Sequence, residues 1–448
     1  MPSQETKLVK ISELNNTMII QSFVQFSNHY QTMSEQTCDW VKHNFKGAQA
    51  VVLRDGKLVK AAVDQIRAGD TLSQLYKLPP ALKKLTIVNE KLTKALKNRG
   101  FLVFKVTEIH RQKSAGQEQR KRSISLTQDF TQQVGEGAKI RDEAAAEVEK
   151  LMDNTRGGTI NIVGVMDYVS SITEDSSTEV ISAVAGLKES DHTYAHCVDV
   201  GAIFQSAYTK IIHRKKAKSK FKDEYEMLLG AFLHDFGKAK IPKDILESNE
   251  RFEPDSKEMR LIRKHPEYSV ELLNKMMMPD YIINMAHYHH VKLDRELPSS
   301  YPKINGNDPL PMETQLLSIV DIYQALVGRR RYKKSWAAPA AMRYIDQLAG
   351  VEYPQEVWND FFQVMGRFPI GSLVQLNDGS QAFVTNVPEK DLNKPQVVIV
   401  KNAKGERLTH QTFADLQVEK DLSIKKELDN YDAFDEDPLD IFTNLRIS

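Results

Sequence analysis

The residues of this chain that could do chemistry are histidines and aspartates, and they are crowded together. Eight of the twelve histidines fall between His192 and His290. In order come His196, the adjacent His234 and Asp235, His265, the adjacent His289 and His290, and Asp321. Imidazole and carboxylate together suit divalent iron, manganese and zinc. Two such ions held close together are well matched to hydrolysing a phosphodiester, because they activate water and stabilise the attacking and leaving oxygens. Phe232-Leu233-His234-Asp235-Phe236-Gly237-Lys238 sets the one His-Asp pair apart from a chance occurrence, by joining an apolar helix end, two ligand types, a glycine and a lysine. Gly237 is where the helix is expected to stop, with positive φ. At such an end a neighbouring His and Asp can turn toward one centre, which neighbours in mid-helix, roughly 100° apart, do less readily. The first expectation is therefore a metal-dependent phosphohydrolase.

Four separated stretches then carry a family resemblance. HTYAHCVDV (192–200), HDFGKAKIPKDIL (234–246), RKHPEYSVELL (263–273) and SIVDIYQALVGRRRY (318–332), with the paired His289-His290 between the last two, resemble the HD-GYP branch of the HD phosphohydrolases in content and order. The resemblance spans about residues 160–360. It implies an all-α catalytic domain that hydrolyses cyclic di-GMP, to linear pGpG or on to GMP, through a metal-activated water. The implied ligands are His196, His234, Asp235, His265, His289, His290 and Asp321, with Asp321 resembling the aspartate that bridges metals in this family. Members with a third metal have an acidic residue four positions before the first histidine. His192 stands there in this chain, one helical turn from His196, so the expected complement is two divalent ions, or three if His192 joins. Iron or manganese is the expected metal, and zinc the alternative.

The resemblance also implies roles outside the ligand set. Asp235 and Lys238 are the expected catalytic pair, with Lys238 beside the scissile phosphate. Tyr301, Arg330 and Lys333 are the further substrate contacts, the last two on the phosphate away from the metals. Arg offers a planar fork to phosphate oxygens and Lys a compact charge. The motif that names the family is altered: where it usually reads HHE-x-x-DG-x-GYP, this chain reads HHVKLDRELPSSYP (289–302). Asp294, Tyr301 and Pro302 are kept, the glycines are absent, and the loop is three residues longer. That change leaves two alternative functions: a phosphodiesterase for cyclic GMP-AMP, or a cyclic-dinucleotide receptor of little turnover. The implied partners are cyclic di-GMP, a diguanylate cyclase of the GGDEF type and a second copy of the chain.

Around this module the sequence reads as a multi-domain protein. Residues 1–110 alternate β-like runs (VKISEL, MIIQSFVQF, AQAVVLRDGKLV, FLVFKVTEI) with the helical PALKKLTIVNEKLTKAL, giving a small α+β N-terminal domain of regulatory type. Residues 111–158 form a polar linker and then a connecting helix, AKIRDEAAAEVEKLMDN, which stops at Arg156-Gly157-Gly158. The catalytic domain is expected over 159–365. A short β-rich extension over 366–420 carries Asp378-Gly379 as a hairpin signal, and 421–448 reads as an acidic tail in which DNYDAFDEDPLDIF (429–442) is expected to be flexible. Net charge is +1 in 448 residues, so no global footprint for nucleic acid or a membrane surface is present. No run of 18 apolar residues occurs, and the start MPSQETKLVK lacks a signal-peptide core, so the expected location is the cytoplasm. Two cysteines give no disulfide framework; Cys197 reads as a packed helix residue and His287 as a packing residue near the ligands.

Overall fold

The computed structural model describes residues 6–10, 18–26, 33, 35–44, 49–55, 57–76, 101–108, 130–174, 185, 193–248, 250, 252–304, 306, 308–328, 336–429, 433–434 and 438–443. The chain divides into two compact units, one of residues 1–113, 150–167 and 271–283, the other of 114–149, 168–270 and 284–448. Among the described residues no helix is long and apolar enough to cross a membrane.

In the first unit the β-like runs become a six-stranded sheet. Its strands are β1 (Thr6–Lys10), β2 (Met18–Phe26), β3 (Gln49–Arg54), β4 (Lys57–Ala62), β5 (Thr71–Tyr76) and β6 (Phe101–Glu108), in the order β1-β6-β2-β5-β3-β4. Every pairing is antiparallel. Strand β5 and the helix Glu35–Asn44 were not expected from the sequence, and the helical run expected at 80–96 lies outside the described residues. Asp70 ties the β3–β5 corner together, accepting from Arg54 Nε at 2.7 Å, Arg54 Nη2 at 2.6 Å and the Arg67 amide at 2.9 Å. The Arg54 guanidinium, acting against burial, holds the Asp70 carboxyl below the usual carboxylate range. A carboxyl lowered in the folded state contributes stability that is complete above about pH 4 and is lost as pH falls through its folded value. Asp70→Asn should therefore cost this unit about 2 kcal/mol at neutral pH and flatten its acid limb. Thermal melts of the parent and variant between pH 7 and 3 check this.

The second unit holds the helical bundle. Its central element is the helix Thr193–Lys215, which packs against the helices Glu224–Phe232, Met312–Val327 and Gln355–Met365. Asp223 caps the helix Glu224–Phe232, accepting from the Glu226 amide at 2.8 Å. Close approach of the first two helices depends on Gly201: a Cβ there would lie 2.3 Å from a Phe232 ring carbon. Phe232 ends its helix immediately before His234-Asp235, so this contact sets the depth at which the pair is delivered. The helices Lys257–Ile262 and Ala338–Leu348 belong to this unit as well, while residues of His265–Lys275 and Asp280–Tyr288 are divided between the two units.

The connecting helix runs from Phe130 to Arg156, starting inside the stretch read as linker, and Gly158 follows with φ of 82°. The C-terminal sheet contains β7 (Leu373–Leu376), β8 (Gln381–Asn386), β9 (Gln396–Lys401), β10 (Arg407–Asp415) and β11 (Ile424–Leu428), ordered β10-β9-β8-β7-β11. Gly379 turns the expected hairpin with φ of 95°. Consecutive residues of β8 are buried because both faces of the sheet are covered. One face packs Leu373, Phe383, Val398 and Val400 against Val134 and Ala138 of the long helix and Leu439 and Ile441 of the helix Pro438–Thr443. The other buries Val374, Ala382, Val384 and Val397 with Phe368 and Leu416. The reading of residues from 421 as an acidic tail is thus corrected: β11 within it pairs with β7, and Leu439 and Ile441, in the stretch 429–442 expected to be flexible, bury apolar side chains that the acidic composition had masked.

Candidate metal centre

The sequence-identified ligands converge from five places in the second unit. His196 lies in the first turn of the central helix, and His234-Asp235 just beyond the helix that ends at Phe232. His265 starts its helix, His289-His290 follow the helix ending at Tyr288, and Asp321 sits within Met312–Val327. They form two groups: Asp235, His265, His289 and His290, and His196, His234 and Asp321. Within each group the ligand atoms lie within 4.8 Å of one another. His234, His289, His265 and Asp235 are buried almost completely.

The backbone decides which nitrogen each ring presents. Carbonyl oxygens only accept, so a ring nitrogen in contact with one must carry hydrogen. His234 Nδ1 donates to the Ala231 carbonyl at 2.7 Å, His265 Nδ1 to Ile262 at 2.8 Å and His289 Nδ1 to Ala286 at 2.9 Å. Each partner is three residues earlier, the reach of one helical turn. In the neutral tautomer all three Nε2 atoms are then bare lone pairs turned inward. His265 Nε2 and His289 Nε2 stand 3.3 Å apart, and His234 Nε2 and Asp235 Oδ1 are buried with no hydrogen-bond partner among the described residues. Lone pairs and carboxylate oxygens facing one another repel, and a divalent cation removes the repulsion; the donor set fits such ions.

The two carboxylates each face both groups. Asp235 Oδ1 lies 3.1 Å from His265 Nε2 and 3.7 Å from His289 Nε2, while Oδ2 lies 3.4 Å from His234 Nε2 and 3.8 Å from His196 Nε2. Asp321 Oδ1 is 2.9 Å from His196 Nε2 and Oδ2 is 3.8 Å from His290 Nδ1. Burial pushes Asp235 up, but the Lys238 ammonium and the neighbouring imidazoles hold it well below the usual carboxylate range. Asp321 is likewise low, held there against burial by the neighbouring His196 and His290 imidazoles. Burial lowers His289 to about 4 and takes His290 well below the usual histidine range. Both are thus neutral, the form that binds metal.

Gly237 has a different role from the one expected. The preceding helix already ends at Phe232, and Gly237 sits without positive φ in a 3-10 turn, Phe236–Lys240. What the site requires is its missing side chain: a Cβ at 237 would lie 1.9 Å from the His265 carbonyl oxygen and 2.5 Å from the Ser269 amide. The Gly237 amide donates to Ser269 Oγ at 2.8 Å, and Ser269 Oγ donates to the His234 carbonyl at 3.2 Å, locking the two ligand segments together. Gly237→Ala should therefore destabilise the unit by about 1–3 kcal/mol, as overpacking does, and separate His265 from Asp235. Chemical denaturation with metal titration on the same variant tests both effects.

The substrate-side residues divide in two. Lys238 Nζ donates to Asp235 Oδ2 at 2.5 Å, and its side chain is partly exposed. Tyr301 packs its ring 4.5 Å from that of His290 and 6.2 Å from that of His265. The loop without glycines achieves this by folding on itself. The Tyr301 amide donates to the His290 carbonyl at 3.2 Å, and the Lys292 amide donates to Ser300 Oγ at 3.1 Å. The Leu293 and Asp294 amides donate to Glu352 and Val351, and Lys292 Nζ reaches Tyr353 Oη at 2.7 Å. His192, Arg330 and Lys333 lie outside the described residues. His287 stacks on Tyr288 and belongs to neither ligand group, and Cys197 is buried as expected. One cation was missed: the half-buried Arg263 guanidinium lies 5.7 Å over the Tyr301 ring and has no carboxylate partner among the described residues. Its place two residues before His265 was the available signal.

Residues 190–357 match the HD domain family, and 373–435 match a KOW domain associated with the HD domain. The chain is 27% identical over 276 residues to a cyclic di-GMP phosphodiesterase of Pseudomonas aeruginosa, covering 61% of this chain and 64% of that one. It is 31% identical over 146 residues to a 3′3′-cGAMP-specific phosphodiesterase of Vibrio cholerae, covering 31% and 27%. A cyclic di-GMP phosphodiesterase response regulator of Xanthomonas campestris is 31% identical over 121 residues, covering 26% and 30%. The chain thus spans less than two thirds of the length of each of these relatives.

Proposed function

For this protein of HD-GYP type we propose a metal-dependent phosphodiesterase activity on cyclic dinucleotides, with cyclic di-GMP as substrate. One observation carries the reading: Asp235 and Asp321 each offer one oxygen to one ligand group and the second oxygen to the other. A pair of carboxylates so placed fits two ions sharing ligands, the arrangement suited to in-line displacement at a phosphodiester. The relatives act on cyclic dinucleotides by name, which supports the substrate class. Iron or manganese is the proposed metal, in a set of His196, His234, Asp235, His265, His289, His290 and Asp321.

When bound, such ions supply Lewis acidity toward a phosphoryl oxygen and make water a nucleophile near neutral pH. The chain's own groups do the rest. Lys238 stands beside Asp235 with a charge that burial opposes but the carboxylate sustains, and it neutralises a phosphoryl oxygen that comes within reach. Arg263 adds a guanidinium fork with no competing carboxylate among the described residues, suited to a phosphate. Tyr301 stays protonated, because burial and then Asp321 and Asp235 push its phenol up, so it presents an O–H and a ring against which a base can stack. Arg330 and Lys333 are proposed to hold the phosphate away from the ions.

The test is product analysis. Purified full-length protein loaded with Mn²⁺, or anaerobically with Fe²⁺, receives cyclic di-GMP and cyclic GMP-AMP separately, with a His234→Ala, Asp235→Ala double variant alongside. Metal-dependent linear product that the variant does not form supports the proposal, and the faster substrate fixes the nucleotide. Tight binding with no product in either metal would make the protein a receptor instead.

A further inference from the structure

Three of the four Nδ1-anchored ligand histidines are oriented by a carbonyl of their own chain segment; His196 is not. Its Nδ1 meets the side-chain oxygen Gln324 Oε1, in a helix far away in sequence. Gln324 Nε2 in turn donates to Asp199 Oδ2 at 3.0 Å. Asp199 accepts a two-pronged pair from Arg141, Nε at 2.6 Å and Nη2 at 2.7 Å. Arg141 belongs to the connecting helix Phe130–Arg156. Arg141, Asp199 and Gln324 are all fully or almost fully buried.

Polarity propagates along this row in one direction. A guanidinium only donates, so the Asp199 carboxylate is its acceptor. With Asp199 anionic, only the NH₂ end of Gln324 can face it, which turns the amide oxygen toward His196. An amide oxygen only accepts, so His196 Nδ1 carries hydrogen and its Nε2 is left for the centre, 2.9 Å from Asp321 Oδ1. Remove any member and the ring loses both its preferred tautomer and its orientation.

We propose that Arg141, Asp199 and Gln324 are positioning residues that fix His196 for the His196–His234–Asp321 ion, making that one site, and not its neighbour, dependent on the connecting helix. The inference rests on the proposed metal centre, but it concerns how unequal the two sites are. Groups that hold a ligand histidine through its second nitrogen change metal affinity by about 10–100-fold. The Asp235–His265–His289–His290 group uses no residue of this row and should keep its affinity.

The experiment is Mn²⁺ titration of the metal-free full-length protein, followed by electron paramagnetic resonance, for the parent, Gln324→Leu and the double variant Asp199→Asn, Gln324→Glu. The double variant moves the negative charge one position along the row and lets the new carboxylate accept from His196. The proposal expects one of the two ions to weaken about 10–100-fold in Gln324→Leu, the other to be unchanged, and the double variant to recover most of the loss. Two unchanged ions, two ions weakened equally, or no recovery in the double variant would overturn it. Should Gln324→Leu fail to fold, nitrogen-15 spectra of the Zn²⁺-loaded parent decide instead. A His196 ring proton on Nδ1, slow to exchange with solvent, supports the row, and a proton on Nε2 or a fast-exchanging one overturns it. Parent protein that binds no Mn²⁺ or Zn²⁺ would sink the metal centre itself, a result distinct from any of these.

Discussion

An Asp235→Asn protein should hydrolyse a cyclic dinucleotide about 10³-fold more slowly than the parent and bind fewer than two ions per chain. The side chain keeps its shape, so the effect is electrostatic. Among the described residues Asp235 is the one whose two oxygens reach four candidate ligand histidines, at 3.1, 3.7, 3.4 and 3.8 Å. The amide has one neutral oxygen and puts two N–H donors where a cation should sit. Losing charge stabilisation of about 4 kcal/mol corresponds to about three powers of ten in rate. Metal analysis by mass spectrometry and product chromatography read the two effects separately. A variant that kept both ions and parental turnover would remove the argument for a shared carboxylate. A Lys238→Ala variant is the informative companion: it should retain the ions and lose rate, because its ammonium contacts Asp235 without being a ligand.

Arg141→Met should lower the stability of the second unit by about 3–5 kcal/mol, the cost of leaving one member of a buried ion pair alone. For a cooperative unit of this size that corresponds to a fall of about 10 °C in melting temperature. Asp199 is fully buried and makes its two shortest contacts with Arg141, so no water can replace the guanidinium without opening the helix packing. Adding Asp199→Leu to Arg141→Met should restore most of the stability, since apolar replacement of a whole buried pair is often neutral or better. Metal affinity on the His196 side should stay low in that double variant, because Gln324 then has nothing to orient it. Calorimetry and Mn²⁺ titration on the same three proteins distinguish the two roles. Equal stability of the parent and Arg141→Met would show that the pair contributes nothing.

The seven candidate ligands could be named from the sequence because the chemistry of metal binding limits them to a few residue types, and the separated motifs gave their order. The structure gathers all seven. Less could be read of what holds them. Arg141, Asp199 and Gln324 sit in ordinary helical sequence, and nothing about an Asp three residues after His196 or a Gln three after Asp321 signals a contact across the bundle. Gly237 was noticed for its backbone freedom and proved to matter for the space beside His265. Glycine has two uses, and spacing alone does not say which one applies. Composition misled at the C-terminus, where Asp and Glu outnumber the few apolar residues that make the contacts, Leu439 and Ile441. The absent glycines of the 289–302 loop suggested an altered path. Hydrogen bonds accepted by Ser300 Oγ and by the Glu352 and Val351 carbonyls nonetheless return Tyr301 to His290, and the last two are distant partners that no local pattern reveals.

The shared core of the C-terminal sheet has a consequence for synthesis. Val134 and Ala138 leave the ribosome early, yet the surface they pack on is made of Leu373, Phe383 and Val398, finished by Leu439 and Ile441. During translation, which runs at about 5–20 residues per second, the start of the connecting helix waits many seconds with an apolar stripe uncovered. Arg141 lies on that same helix, three residues after Ala138. The residue proposed to orient His196 thus shares a helix with side chains whose cover is made last, and a nascent chain halted before residue 438 would carry all seven candidate ligands with the start of that helix still partly uncovered.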